Sequence, residues 1–131
     1  MKKTVLLNQP VSAVIAGMGH TDTLTIGDCG LPVPEGPERI DLAVKKGLPA
    51  FLDVLDTVLE ELCVEKVTIA SEMQGKNPAL YAQILERFAG IGIEEIPHEV
   101  FKERTGRSRA VIRTGEYKPY ANIILHSGVT F

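Results

Sequence analysis

The apolar stripe Phe51, Val54, Leu55, Val58, Leu59 and Leu62 has the spacing of a helix face, and the chain then changes period into the β-branched run Val64 to Ala70. Asp53, Asp56, Glu60 and Glu61 fill the other side of that helix. The exchange of periods recurs along the chain. Asn8 is placed to cap a first helix with Pro10 in its first turn, and Val11, Val14, Ile15 and Met18 mark its apolar face. Thr23 to Ile26 reads as a strand whose end delivers Asp28, and Ile40 to Val44 as another. Asn77 is placed to cap a helix that opens at Pro78 and runs through Ala79 to Ala89, followed by a strand over Ile91 to Ile96. A short helix anchored by Phe101 ends near Gly106, and Ala110 to Ile112 and Asn122 to Leu125 are the last strands. Strands alternating with helices predict a compact α/β sandwich, with helices on both sides of a mainly parallel sheet. Short connections near the C-terminal end leave room for antiparallel strands.

A chain of 131 residues, 44% hydrophobic, carries enough apolar material for one domain spanning 1–131 and has no second domain to close over a ligand. Its site is then shallow, made by loops, or completed by a neighbouring subunit. Fourteen Lys and Arg against seventeen Asp and Glu leave a net charge of -3, which disfavours nucleic acid as a partner. The locally basic run Lys102 to Arg109 reads as a solvated helix end and turn, or as a small-anion contact. Cys29 and Cys63 form no CxxC pair, and a reduced, cytoplasmic chain is expected. The longest uncharged stretch, Thr4 to Gly19, is interrupted by Asn8, Gln9 and Pro10, so no membrane span is expected.

The familiar cofactor signatures are missing. No Gly-x-Gly-x-x-Gly dinucleotide-binding fingerprint follows a first strand, and there is no Walker A, Gly-x-Ser-x-Gly or His-Glu-x-x-His sequence. No cofactor and no metal are expected. His20 and Asp28 flank one short strand. They read either as a helix-end histidine and a turn cap, or as a general acid–base pair sharing a pocket. His98, directly after Pro97, reads as a ligand or catalytic residue or as a helix cap, and His126 as a structural or interface residue. The turn Thr114 to Asn122 concentrates hydroxyl, carboxylate and amide groups. It is either a rigid turn or a site whose Tyr120 and Asn122 bind a polyhydroxylated ligand. The stiff loop Cys29 to Arg39, with Pro32, Pro34 and Pro37, is either a pocket wall or a surface detour.

In order along the chain, Gly19-His20-Thr21-Asp22, Asp28-Cys29-Gly30-Leu31-Pro32-Val33-Pro34, Gly47-Leu48-Pro49-Ala50-Phe51, His98-Glu99, Ala110 to Glu116, Pro119-Tyr120-Ala121-Asn122 and Gly128-Val129-x-Phe131 resemble the ribose pyranase / fucose mutarotase family, on its ribose side. The resemblance covers essentially the whole chain, more weakly over Thr68 to Arg87, and Cys29 stands where the family has alanine. It implies a three-layer Rossmann-like sandwich without the dinucleotide-binding fingerprint, and an isomerase that interconverts β-D-ribopyranose and β-D-ribofuranose by ring opening and reclosure. His20 is then the proton donor, and Asp28, His98, Tyr120, Ala121 and Asn122 bind the sugar. The implied partners are D-ribose or a similar free monosaccharide and further copies of the chain, as a homodecamer of two pentameric rings. A mutarotase for fucose or another monosaccharide and a noncatalytic sugar-binding or transport-associated protein are the alternatives.

Overall fold

The computed structural model describes residues 1–131. Its elements run α1 (Gln9–Gly17), β1 (Thr23–Gly27), β2 (Glu38–Asp41), α2 (Phe51–Leu59), β3 (Val64–Ala70), α3 (Met73–Lys76), α4 (Pro78–Arg87), β4 (Gly92–Ile96), α5 (His98–Thr105), β5 (Ala110–Arg113) and β6 (Ile123–Ser127). The six strands form one sheet in the order β2-β5-β1-β6-β3-β4. Asn8 caps α1 as expected, its Oδ1 accepting the Val11 N–H at 3.1 Å. The second strand is shifted from Ile40–Val44 to Glu38–Asp41, because it follows β5 from Ala110 only as far as Arg113. Beyond it Asp41 Oδ1 accepts the Ala43 N–H at 3.0 Å and turns the chain.

The expectation of a mainly parallel, Rossmann-like sheet is corrected. β2, β5 and β1 pair in parallel, as do β3 and β4, but β6 lies antiparallel between β1 and β3. The sheet is mixed, and its one reversed strand is central. Strand direction leaves no mark on the alternation of helices and strands from which the fold was read. What matters for function is that reversal puts the start of β6 at the same end of the sheet as the carboxyl ends of β1, β3, β4 and β5.

Side-chain alternation sorts the sheet's two faces. Leu24, Ile26, Val67, Ile69, Ala110, Ile112, Ile123 and Leu125 join residues of α1, α2, α3 and α4 in a core of 21 buried residues. Phe51 and Leu55 of α2 are wholly buried there, each contributing about 1.5–3 kcal/mol by burial. The opposite face carries a core of five residues, Leu31, Ile96, Phe101, Val111 and Ile124, under α5. The total surface is 7047 Å², close to the roughly 6,800 Å² expected of a compact chain of this mass, so no segment is splayed away.

The thinly covered face is tied to α5 by charge. Glu94 on β4 accepts from Arg104 Nη1 at 2.6 Å, Lys66 Nζ at 2.9 Å and Thr68 Oγ1 at 2.9 Å. Arg104 foremost, then Lys66, holds the Glu94 carboxyl down at about 2, from an ordinary value of 4.5. A depressed folded-state value stabilises the protein above pH 4.5, and that stabilisation is lost as the pH falls through about 2. Glu94→Gln is therefore expected to flatten the acid limb of a stability-against-pH curve between those values, measured by urea titration at each pH. The basic run is thus a helix end and turn, with Arg104 on Glu94 and Lys102 on Glu99. His126 lies on the same face, with Nε2 2.8 Å from Thr68 Oγ1. Burial, then the Lys66 charge, pushes its imidazole down, which suits the structural role expected of it.

Candidate functional site

The segment between β5 and β6 has to cross the end of β1, which lies between them in the sheet. Thr114 begins the crossing, its N–H and hydroxyl both donating to the Gly27 carbonyl at 3.0 and 2.9 Å. Glu116 stiffens it, accepting the N–H groups of Tyr117 and Lys118 at 3.0 and 3.1 Å. The segment ends by laying Asn122 over Asp28. Asn122 Nδ2 donates to Asp28 Oδ2 at 2.9 Å, and Asn122 Oδ1 accepts the Asp28 N–H at 2.9 Å. Asp28 Oδ1 takes the Gly30 N–H at 2.9 Å. The carboxylate is thus held by donors on both oxygens, and each oxygen keeps a lone pair for a ligand hydroxyl. Gly27 permits the approach, since a Cβ there would stand 3.0 Å from Asn122 Oδ1 and 2.5 Å from Leu31 Cδ2.

His98 enters from the end of β4, as the first residue of α5. Its ring meets Tyr120 edge-on, centroids 5.1 Å apart, and lies nearly parallel to Phe101 at 6.1 Å. Its Nδ1 is buried without a partner. The backbone N–H of His98 is gripped by both oxygens of Glu72, at 3.0 and 3.1 Å. Burial opposes the charge on Glu72, but that N–H outweighs it together with other donors, and the carboxyl lies below its ordinary range.

Tyr120 has φ 57, a left-handed conformation uncommon outside glycine and one that marks sites held by their surroundings. Asn77 supplies part of the hold, Nδ2 donating to the Pro119 carbonyl at 3.0 Å. Expected as a helix cap, Asn77 makes no side-chain cap bond. It fastens the Pro119–Asn122 segment instead. Ala121 is fully buried in the larger core, so only its main chain can face a ligand.

Asp28, His98, Tyr120, Ala121 and Asn122 therefore converge at one end of the sheet. His20 does not join them. It precedes β1 whereas Asp28 follows it, so a strand's length, on the order of 16 Å, separates them. A pocket shared by His20 and Asp28 within one chain is not formed. At its own end His20 is half exposed, and its Nε2 lies 3.0 Å from Oε2 of Glu65. Glu65, Glu72 and the Asn77 contact to Pro119 were all missed in the sequence. Each meets its partner across strands distant in the chain, and no local spacing announces such a meeting.

The arrangement at the Asp28 end brings together a carboxylate, an imidazole and a phenol. It suits a small polyhydroxylated molecule. No group of three or more His, Cys, Asp or Glu side chains is arranged to hold a metal ion.

Comparison with known proteins agrees with this chemistry. Residues 1–130 match the model of the RbsD / FucU transport protein family. The chain is 56% identical to a D-ribose pyranase of Coprothermobacter proteolyticus, over 100% of both chains. It is 58% identical to a D-ribose pyranase of a Thermoanaerobacter species, again over 100% of both. The structure of Bacillus subtilis RbsD complexed with D-ribose superposes with a TM-score of 0.97, at 46% identity and 100% coverage of each chain.

Proposed function

The chain belongs to the RbsD / FucU transport protein family, and from that premise we infer that it is an isomerase of free D-ribose. It interconverts β-D-ribopyranose and β-D-ribofuranose, the activity of a D-ribose pyranase. The full-length likeness to proteins of that activity carries the assignment. The cradle of Asp28, His98, Tyr120 and Asn122 supplies chemistry suited to it.

The reaction needs one proton delivered to the ring oxygen as the anomeric hydroxyl gives one up, which opens the ring to the aldehyde. Reclosure through the 4-hydroxyl in place of the 5-hydroxyl reverses both transfers. Protons and electrons balance within the sugar and the general acid and base. In our reading Asp28 accepts a hydrogen bond from a sugar hydroxyl, Tyr120 and the Asn122–Asp28 lock fix the ring, and His98 takes the proton of the anomeric hydroxyl and returns it on reclosure. His20 donates the proton to the departing ring oxygen.

Because His20 and Asp28 occupy opposite ends of one sheet, this reading requires two copies of the chain. One presents its Asp28 end and a neighbour presents its His20 end. Leu48, Tyr117 and Val100 are exposed apolar side chains on the segments nearest the Asp28 end, which suits burial against a copy. We propose a ring-shaped homo-oligomer, the homodecamer of two pentameric rings. Cys29 and Cys63 are free thiols, which supports a reducing, cytoplasmic setting. No helix is long and apolar enough to cross a membrane.

Magnetisation-transfer NMR between the ribopyranose and ribofuranose signals tests the assignment. The protein is expected to accelerate that exchange and to act less on L-fucose anomers. An unchanged ribose exchange rate rejects it. Ribose binding without acceleration identifies a noncatalytic binder instead.

A further inference from the structure

Opposite the sugar cradle, three segments meet around His20. The first is the turn that carries it. Asp22 Oδ2 accepts the Gly19 N–H at 2.9 Å, and the Asp22 N–H donates to the Gly19 carbonyl at 3.2 Å. Asp22 thus builds the turn and does not touch the imidazole. The second is the end of β6: Thr21 N–H donates to the Ser127 carbonyl and Ser127 N–H to the Asp22 carbonyl, both at 2.9 Å. These bonds hold Thr21 at φ 70, a conformation a β-branched residue rarely adopts. The third is the start of β3, where the register against β6 slips. Val64 pairs with Ser127 and Lys66 with His126, so Glu65 is the extra residue of a bulge.

Bulges re-aim side chains, and they recur beside active sites. Here the bulge sends the Glu65 carboxylate to His20, with Oε1 and Oε2 at 3.2 and 3.0 Å from Nε2. Gly128 makes room for it. A Cβ on Gly128 would sit 3.1 Å from the Glu65 Cβ and 3.4 Å from its backbone nitrogen. The side chains of His20 and Glu65 are 52% and 45% exposed. Exposed ion pairs add little to stability. A strained turn, a bulge and a clearing glycine converge on a contact the fold does not need.

We propose that Glu65 is the positioning residue for His20. Its carboxylate accepts Nε2–H, fixes that tautomer and the ring's direction, and leaves Nδ1 facing the sugar held by the neighbouring copy. Protonated, His20 delivers the Nδ1 proton to the ring oxygen; on reclosure Nδ1 takes a proton back. Nε2–H stays on Glu65 throughout. This proposal rests on the reading of His20 as the acid, and it gives Glu65 the orienting role that Asp28, at the other end of the sheet, cannot fill within the chain.

The test compares wild type with Glu65→Ala, Glu65→Gln and His20→Ala, each as the full chain in its native assembly. Ribose exchange is measured over a range of ribose concentrations. The His20 tautomer is read from ring nitrogen shifts after labelling with 15N-histidine. Glu65→Ala is expected to lower kcat roughly 10- to 100-fold, part of the 100- to 10,000-fold that general acid–base transfer supplies, with KM unchanged. Its His20 signal becomes a mixture of tautomers, where the wild type shows Nε2–H. Glu65→Gln, which keeps an acceptor oxygen, recovers part of both. His20→Ala inactive with Glu65→Ala at wild-type kcat and tautomer overturns the Glu65 proposal alone. His20→Ala at the wild-type rate overturns the acid assignment and the Glu65 proposal together. A fall in Glu65→Ala through KM only, with the tautomer unchanged, also overturns it.

Discussion

Replacing His20 by alanine removes the catalysed exchange between ribopyranose and ribofuranose, while the fold and self-association persist. The expected loss is roughly 100- to 10,000-fold, the range that a positioned general acid supplies. Persistence of the fold follows from where the side chain sits. It is half exposed, belongs to neither apolar core, and makes its side-chain hydrogen bonds with Glu65. The turn around it is built by Asp22, Thr21 and Ser127 and survives the truncation. Magnetisation transfer reports the exchange rate, and sedimentation reports the assembly. A wild-type rate in this variant removes His20 from the mechanism. The contrast with an Asp28-end variant is informative, because His20→Ala should leave ribose binding largely in place.

Asn122→Ala and Asn122→Asp give the second large effect, through the other half of the site. Asn122 is 1% exposed and makes a two-bond lock with Asp28. Alanine leaves the Asp28 N–H and one carboxylate oxygen without their partner, at about 1–3 kcal/mol of stability. Aspartate keeps the shape but sets a second carboxylate oxygen where Nδ2 now lies, 2.9 Å from Asp28 Oδ2. Like charges at that distance drive the pair apart. In both variants Asp28 is no longer aimed, and kcat/KM is expected to fall on the order of 100-fold, equivalent to roughly 3 kcal/mol. The loss should appear mainly in KM, since no transferred proton is assigned to Asn122. Exchange kinetics against ribose concentration, with urea unfolding of each variant, separate the binding loss from the stability loss. A KM within twofold of wild type in both variants would falsify the role given to the lock.

Much of the local structure was legible along the chain. The Asn8 cap, the Phe51 to Leu62 stripe and the strand at Val64–Ala70 follow from neighbours within a few residues. Asp28, His98, Tyr120 and Asn122 could each be singled out along the chain, but their meeting at one end of the sheet could not, because Asp28 and Asn122 are 94 positions apart. Asn77 shows the limit of local reading. An asparagine before a proline signals a helix cap, yet here its amide is used to hold Pro119.

Two things were settled by the sequence alone: the alternation of helices and strands through most of the chain, and the absence of cofactor fingerprints. Periodicity and motif are local properties, and they survive being read in one dimension. Tertiary structure alone decided the reversed direction of β6, the meeting of Asn122 with Asp28, and the placing of His20 beside Glu65 at the far end. Those outcomes depend on which strands become neighbours and in which register. Pairing free energy is summed over the whole sheet, and no short stretch of the chain contains it.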